Sequence, residues 1–251
     1  MAARIPAACD PPHFQGDMEP WVFYVVMGIS YLVSLVVRRR LNLTYSKYSR
    51  VPNRAGFSGS QVARGILDSN GLRDVQLELA RGQLTDHYDP RTRVIRLSSE
   101  NARNASVAAM AVSAHEAAHA LQDADDYAPL ELRTSILPLV QAGARFGIPV
   151  AMFGSLFDSQ PMFLLGTLAY VGSIVFHFIT LPVEFDASRR ALVQLKVLGI
   201  ARGEEEEREA METLRAAAMT YVVNAVSAAS FVLFIGLNFL RAVGRARATG
   251  I

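Results

Sequence analysis

The chain has 251 residues, of which 51% are hydrophobic, with 25 basic and 23 acidic side chains. This near balance of charge excludes the strongly basic surface typical of nucleic-acid-binding proteins, so no nucleic-acid partner is expected. The single cysteine, Cys9, excludes an internal disulfide framework and cysteine-rich zinc modules. A metal site in this chain must therefore use histidine and carboxylate ligands.

The first segment, residues 1–20, contains small, polar and proline residues without a periodic apolar pattern. It lacks the basic start and apolar centre of a signal peptide. We expect a disordered tail, in which His13 has no functional role.

The first apolar run covers residues 21–37, which is close to the shortest length that spans a bilayer. It ends abruptly at Arg38–Arg40. Basic residues next to a span stay in the cytoplasm, so the tail is expected outside. A buried core helix is the alternative, but it would not need such a basic stop. The pattern predicts a transmembrane helix over 21–37.

The next segment, residues 41–135, has the composition of a soluble domain. A small polar cap at Ser58 precedes apolar residues at helical spacing, which predicts a helix ending near Asn70–Gly71. Alternating residues predict strands at Val75–Leu79 and Arg93–Leu97. We expect the second strand at a sheet edge, where it could pair with an extended peptide.

An H-E-x-x-H motif is formed by His115, Glu116 and His119 in a segment without Gly or Pro from Asn101 to Asp126. This favours a helix that follows a cap at Ser98 or Ser99 and ends near Asp123. Residues four apart share a helix face, so both imidazoles can reach one zinc ion. Glu116 would then address a water on that ion. Two ordinary helix histidines are the alternative reading.

Two further apolar runs, 136–157 and 162–183, are joined by a short polar link. They predict a transmembrane hairpin over 136–183, which returns the chain to the side it left. Arg145 interrupts the first run. It is expected either to extend to the interface or to lie where the helix packs against protein.

The chain then becomes charged and helical over 184–218, followed by a last predicted span over 219–240. We interpret Glu204–Glu207 as a solvated face. Arg241, Arg245 and Arg247 favour a cytoplasmic end, whereas alternation from the hairpin puts that end outside. The sequence leaves these two orientations open.

A catalytic zinc needs a third protein ligand, for which Glu184 is the candidate. It follows the third apolar run and is expected to begin a new helix just past Pro182. The hairpin returns it to the side of the membrane that carries His115. The alternative is a carboxylate stabilised by its position at a helix start.

Other side chains could assist such a site. Ligating histidines usually donate their second nitrogen to a neighbouring group, for which Asp123, Asp186 and Ser188 are candidates, although each could equally lie on the surface. An oxyanion formed in the reaction needs hydrogen-bond donors. The candidates are His87, Tyr127, His177, Arg189 and Arg190. For His177, a hydrogen-bonded histidine within a span is the alternative.

Three sequence blocks carry a resemblance to a known family. They are H-E-A-A-H-A-L-Q-D from His115, Y-A-P-L-x-L-R from Tyr127 to Arg133, and L-P-V-E-F-D-A-S-R-R around Glu184. In this order they resemble the YugP-like, or neutral zinc metallopeptidase, family over nearly all of residues 21–240. The resemblance implies a membrane-bound metallopeptidase whose site faces the cytoplasm. It does not supply a substrate.

A more distant similarity links the chain to the CaaX-prenyl-protease and heat-shock membrane-protease group. In that group the downstream glutamate lies in an E-x-x-A-D pattern. Here Ala187 stands three residues after Glu184, but Ser188 occupies the position of the aspartate. The departure concerns the groups around the ligand more than the ligand itself.

Together these features predict a mostly α-helical integral membrane protein with a small α+β portion of the gluzincin type. One zinc ion per chain would be held by His115, His119 and Glu184, with Glu116 as general base in peptide-bond hydrolysis. The expected partners are peptide or protein substrates, including membrane proteins, and the lipid bilayer. The expected location is the bacterial inner membrane.

Two other functional classes compete with this prediction. A non-catalytic scaffold or chaperone-like protein could retain the metal, but structural zinc sites fill four positions and no fourth ligand is evident. A divalent-ion transporter would need polar ligands inside the spans, where only His177 and Arg145 qualify.

Overall fold

The computed structural model describes residues 20–248, with the side chains of residues 20, 22–24 and 231–248 left out of the description. Its elements are α1 (Pro20–Tyr48), α2 (Gly59–Ser69), β1 (Gln76–Ala80), β2 (His87–Asp89), β3 (Val94–Ser98), α3 (Ser99–Arg103), α4 (Val107–Ala124), α5 (Ala128–Leu156), α6 (Gln160–Val197) and α7 (Glu204–Ala248). The protein is mostly helical with one small sheet, as predicted. The predicted tail, with Cys9 and His13, lies outside the described residues apart from Pro20.

The three strands form one mixed sheet in the order β1-β3-β2. β3 pairs in parallel with β1 and antiparallel with β2. The expectation that the strand at Arg93–Leu97 lies at an edge is therefore wrong, because β3 is the central strand. β2 has three residues, too few for an alternating pattern to be recognised in the sequence. It occupies the edge instead.

The predicted helix after Ser58 is present as α2. The Ser58 side chain accepts a hydrogen bond from the backbone of Gln61, whose side chain accepts one from the Ser58 backbone. This reciprocal cap fixes where the helix starts. A Cβ at Gly59 would lie 2.2 Å from the carbonyl oxygen of Asn101 and 2.3 Å from Ser113 Oγ. Glycine thus allows α2 to approach α3 and α4 closely.

The helix predicted from the cap at Ser98 or Ser99 to near Asp123 is two helices, α3 and α4, and Ser98 caps the first of them. The carbonyl of Ala105 accepts a hydrogen bond from the backbone of Asn53 at 2.9 Å instead of continuing a helix. Ser106 then caps α4 by accepting from the backbone of Ala109. The break depends on a residue about fifty positions away, which local sequence cannot reveal.

α4 lies at the centre of the soluble part. Most of its residues are buried, and it packs against α2, α6, α7 and the sheet. The hydrophobic core around it includes Ile66, Leu67, Ile95, Leu97 and Met110. Since α4 carries the H-E-x-x-H motif, this packing holds the motif in a fixed position.

α5 and α6 form the predicted hairpin and pack closely against each other. A Cβ at Gly143 would lie 2.3 Å from the carbonyl oxygen of Ala169, and one at Gly166 would lie 2.3 Å from the backbone nitrogen of Ala151. Small residues of this kind allow close packing of membrane helices. Both helices are long and apolar enough to cross a bilayer. Arg145 is exposed, so its side chain lies on the face of α5 that does not pack against α6.

The other two predicted spans lie in α1 and α7, which pack against each other. α6 continues through Pro182 to Val197. The expected new helix just past Pro182 is therefore wrong, and Glu184 lies inside a long helix, which removes the alternative of a helix-start carboxylate. Neighbouring helices support a proline in such a position.

The acidic run at the start of α7 is only partly solvated. Glu206 is buried and accepts hydrogen bonds from the backbone nitrogens of Arg54 at 2.7 Å and Arg202 at 2.6 Å. The interpretation of Glu204–Glu207 as a solvated face is thus wrong at Glu206. Its carboxylate connects α7 to the segment after α1.

Candidate metal centre

The two histidines of the motif lie one turn apart on α4, and α6 brings Glu184 against them. Glu184 Oε2 lies 3.2 Å from His115 Nε2 and 3.8 Å from His119 Nε2. One ligand atom from each of the three residues lies within 4.8 Å of the others. Zinc bonds of roughly 2.0–2.1 Å in a tetrahedron separate ligand atoms by about 3.3 Å. The donor set and its spacing therefore fit a zinc ion.

The surroundings keep His119 in the form that binds a metal. Burial and the neighbouring His115 lower the pKa of His119 to about 4, so its imidazole is neutral at physiological pH. Burial also acts to lower the pKa of His115, but the hydrogen bond to Glu184 and the nearby carboxylates have the larger effect, so the pKa of His115 is raised. A neutral imidazole offers a free nitrogen lone pair.

Glu184 remains ionised although it is only 2% exposed. Burial alone would raise its pKa, but the hydrogen bond with His115 and the electrostatic interactions with both histidines and Arg133 lower it to about 2. Arg133 donates to Glu184 Oε1 at 2.9 Å. Oε2 is the oxygen that remains directed at the histidines, so the carboxylate is oriented for one metal bond.

Outer contacts orient the histidines. His119 Nδ1 lies 2.9 Å from Gln122 Oε1, and Gln122 Nε2 donates to the carbonyl of Val183 and to Asp186 Oδ2. His115 Nδ1 lies 3.3 Å from Ser188 Oγ. Such partners fix the tautomer and the ring plane. Ser188 contacts a candidate ligand directly, whereas Asp186 reaches His119 only through Gln122.

Asp123 does not take the place expected for it. Its carboxylate accepts a hydrogen bond from the Tyr88 hydroxyl at 2.7 Å, which connects α4 to β2. Gln122, the residue before Asp123, contacts His119 instead. Position i+3 from His119 lies on the face toward α6, whereas position i+4 is turned toward the sheet.

Glu116 lies beside the three candidate ligands and lines both cavities that adjoin them. It is 7% exposed, and burial raises its pKa to about 7. A carboxyl group with a pKa close to neutral can both accept and return a proton. This property suits the general base of a hydrolytic reaction.

Two cavities meet at the candidate metal centre. The strand-side cavity, of about 340 Å³, is lined by β2, α4 and α5, including His87, Arg133 and Leu137. The helix-side cavity, of about 180 Å³, is lined by one face each of α1, α4 and α7. His115, Glu116, Glu184 and Tyr221 line both cavities. A substrate that crosses the centre could therefore occupy both.

The oxyanion candidates are placed unequally. His87 lines the strand-side cavity. The Tyr127 ring lies under the guanidinium of Arg190, which also pairs with Asp186, and His177 Nδ1 lies 3.0 Å from the Ile174 carbonyl. Arg189 is exposed and pairs with Asp186 as well. The structure does not bring Tyr127, His177, Arg189 or Arg190 to the centre.

Three residues of the site were not singled out from the sequence. Arg133 and Tyr221 both lie against Glu184 and line the strand-side cavity, and Gln122 holds His119. Arg133 and Gln122 lie within the sequence blocks that carry the family resemblance, which was the available signal. Tyr221 lies on α7 in no recognised motif, so nothing in the sequence indicated it.

Comparison with known proteins agrees with this geometry. Residues 23–238 match the family described as "Putative neutral zinc metallopeptidase". The chain belongs to this family. It is 40% identical over 200 residues to the "Putative membrane protease YugP" of Bacillus subtilis (strain 168), a match that covers 80% of this chain and 87% of the relative. No solved structure matches this neutral zinc metallopeptidase family member.

Proposed function

We propose that this protein is a membrane-embedded zinc metallopeptidase that hydrolyses peptide bonds at the membrane surface. The observation that carries the proposal is the convergence of His115, His119 and Glu184 on one point, with the buried Glu116 beside them. Two imidazoles and one carboxylate leave a fourth tetrahedral position open, as catalytic zinc sites do. The family to which the chain belongs supports the same chemistry.

Each residue of the candidate centre has a separate role in the proposed hydrolysis. Zinc, when bound by the three ligands, would polarise the scissile carbonyl and acidify water. Glu116 takes a proton from the attacking water and passes one to the leaving amine. Tyr221 and His87 line the strand-side cavity and are the candidate donors to the developing oxyanion. Arg133 forms an ion pair with Glu184 and holds that carboxylate in place.

The edge strand β2 supplies a place for an extended substrate. It pairs with β3 on one side and has no strand partner on the other within residues 20–248. His87, Tyr88 and Asp89 all line the strand-side cavity beside the candidate metal centre. A peptide could add to this edge through backbone hydrogen bonds. This assigns to β2 the role that the sequence had suggested for the following strand.

The position of the centre relative to the predicted spans supports a site at the membrane surface. Leu41, Leu137, Glu184 and Tyr221 line the cavities, and each lies within about one helical turn of the end of a predicted span. Arg38–Arg40 lies at the same level in α1. By the positive-inside rule this surface is cytoplasmic. Peptide segments next to the transmembrane helices of other proteins are then the substrates within reach.

A non-catalytic scaffold would also belong to a membrane and could retain the metal. It would not require a buried carboxyl group beside the ligands, nor cavities leading to them. Metal analysis of the full chain purified in detergent, combined with cleavage of casein, separates the two functions. We expect one zinc per chain and cleavage that a chelator abolishes. Bound zinc without cleavage of any protein or peptide would favour the scaffold.

A further inference from the structure

The helix-side cavity has a composition that the peptidase chemistry does not require. Three helices contribute residues at helical spacing: Leu41 and Tyr45 from α1, Val112 from α4, and Leu214 and Ala217 from α7. Of these, Tyr45 and Leu214 are buried in the core. The wall that α1, α4 and α7 contribute to the cavity is thus largely apolar, and the packing of these helices holds it in place.

The volume of the cavity fits a single side chain. It measures about 180 Å³, below the roughly 300–1,000 Å³ of pockets that enclose a whole small ligand. It opens beside His115 and Glu116, so an occupant would be attached to the residue next to the scissile bond. The neighbouring strand-side cavity, of about 340 Å³, has room for the peptide backbone.

Charge excludes one class of occupant. The residues that line the helix-side cavity include Asp86, Glu116 and Glu184, and none of those described is lysine or arginine. Both Asp86 oxygens are engaged, one by the backbone of Ser98 and the other by the Asn101 side chain. An acidic side chain would therefore face Asp86 and Glu116, with no lysine or arginine in the described lining to pair with it.

We propose that the helix-side cavity is the specificity subsite for a large apolar side chain adjacent to the scissile bond, and that Ala217 sets its size. This inference rests on the proposed peptidase function. Ala217 is half-buried and lines the cavity from α7, as Val112 does from α4. A longer side chain at Ala217 fills the space, while a shorter one at Leu41 enlarges it.

The test uses the full-length protein in detergent with zinc and a set of internally quenched peptides. The peptides differ at one position at a time on either side of the cleaved bond, with Gly, Leu, Trp, Asp or Lys. We expect kcat/KM at one of the two positions to be roughly 10- to 100-fold higher for Leu than for Gly or Asp. Ala217→Leu should remove this preference, and Leu41→Ala should shift it toward Trp.

Ala229→Leu is the matched control. Ala229 is exposed on the same helix, roughly 18 Å farther along its axis, and should retain the preference of the unsubstituted protein. Binding of the uncleaved peptides to the Glu116→Gln protein, measured by fluorescence anisotropy, gives a second readout. Ala217→Leu in that background should weaken binding of the Leu peptide and not of the Gly peptide.

Different results overturn different proposals. If the unsubstituted protein cleaves none of the peptides, the peptidase function and the subsite fall together. If it cleaves them, but Ala217→Leu and Leu41→Ala both leave the preference unchanged, the subsite alone is overturned. A preference for Lys over Leu would also overturn it, because Asp86 rather than the apolar wall would then select the side chain.

Discussion

Arg133 and Glu184 form an ion pair in which the guanidinium donates to Oε1 at 2.9 Å, while Oε2 of the same carboxylate faces the two histidines. The pair joins the start of α5 to the interior of α6. It gives each carboxylate oxygen a separate role, one in the ion pair and one directed at the two histidines. The side chain is thereby held in one orientation, which a ligand in a preformed site requires.

The first prediction concerns the third ligand. Glu184→Ala leaves two histidines, so zinc content of the purified protein should fall steeply. Glu184→Gln should also bind zinc poorly, because an amide oxygen is a weaker donor than a carboxylate. Asp186 reaches His119 only through Gln122, so Asp186→Ala should lower the zinc affinity by at most about ten- to a hundredfold. Full occupancy in Glu184→Ala would contradict the assignment.

The second prediction separates the base from the ligands. Glu116→Gln should retain zinc while proteolysis falls by about two to four orders of magnitude, because proton transfer is lost and the three ligands remain. Zinc content and cleavage rate are measured on the same preparation. Retained proteolysis would show that another group takes the proton.

A third prediction compares two neighbours on α4. Gln122→Ala should lower zinc affinity about ten- to a hundredfold, because His119 loses the partner that fixes its ring. Asp123→Ala should leave the affinity unchanged and lower the melting temperature, since it removes the hydrogen bond to Tyr88. Zinc competition with a chelating dye measures both. The reverse result would restore Asp123 as the partner of His119.

The fourth prediction concerns the free energy of unfolding. Glu206→Ala removes the two hydrogen bonds that this buried carboxylate accepts from backbone N–H groups, and it should destabilise the protein by roughly 1.5–3 kcal/mol. Glu205→Ala is the matched control, because its ion pair with Arg54 is exposed and worth about 0–1 kcal/mol. Thermal unfolding in detergent compares the two variants. Equal effects would mean that burial of Glu206 contributes nothing.

The fifth prediction tests the membrane orientation. In a Cys9→Ser background, single cysteines at Ser60 and Glu204 should react only with cytoplasmic thiol reagents, whereas one at Asp158 should react from the other side. Asp158 lies in the link between α5 and α6, whereas Ser60 lies in α2 and Glu204 at the start of α7. Labelling of Ser60 and Glu204 from opposite sides would be incompatible with a site built from α4 and α6.

The sequence predicted the site better than the sheet, for a physical reason. His115 and His119 share a face by local periodicity, and Glu184 could be added because the hairpin returns the chain to the same side. The order of the strands depends instead on pairing between distant segments, which alternation does not encode. The central position of β3 and the break before α4 both come from such contacts.

The same distinction applies within the site. Gln122 and Asp123 are both close enough to His119 along the chain, and only the packing of α6 against α4 decides between them. Tyr221 reaches the centre from α7, about one hundred residues after the motif, and its role depends on how α7 packs against α6. Its type and spacing carry no signal. Buried ion pairs such as Arg133 with Glu184 are likewise set by tertiary structure.

The continuity of α6 through Pro182 has a mechanical consequence. The helix of 38 residues is about 57 Å long, and the hairpin arm and Glu184 belong to the same continuous helix. α4, which carries the histidines, is anchored in the soluble core. If the hairpin spans a bilayer as proposed, a change in bilayer thickness that tilts α6 would also act on Glu184. In the proposed membrane-embedded state, the lipid environment would thus be coupled to the geometry of the candidate metal ligands.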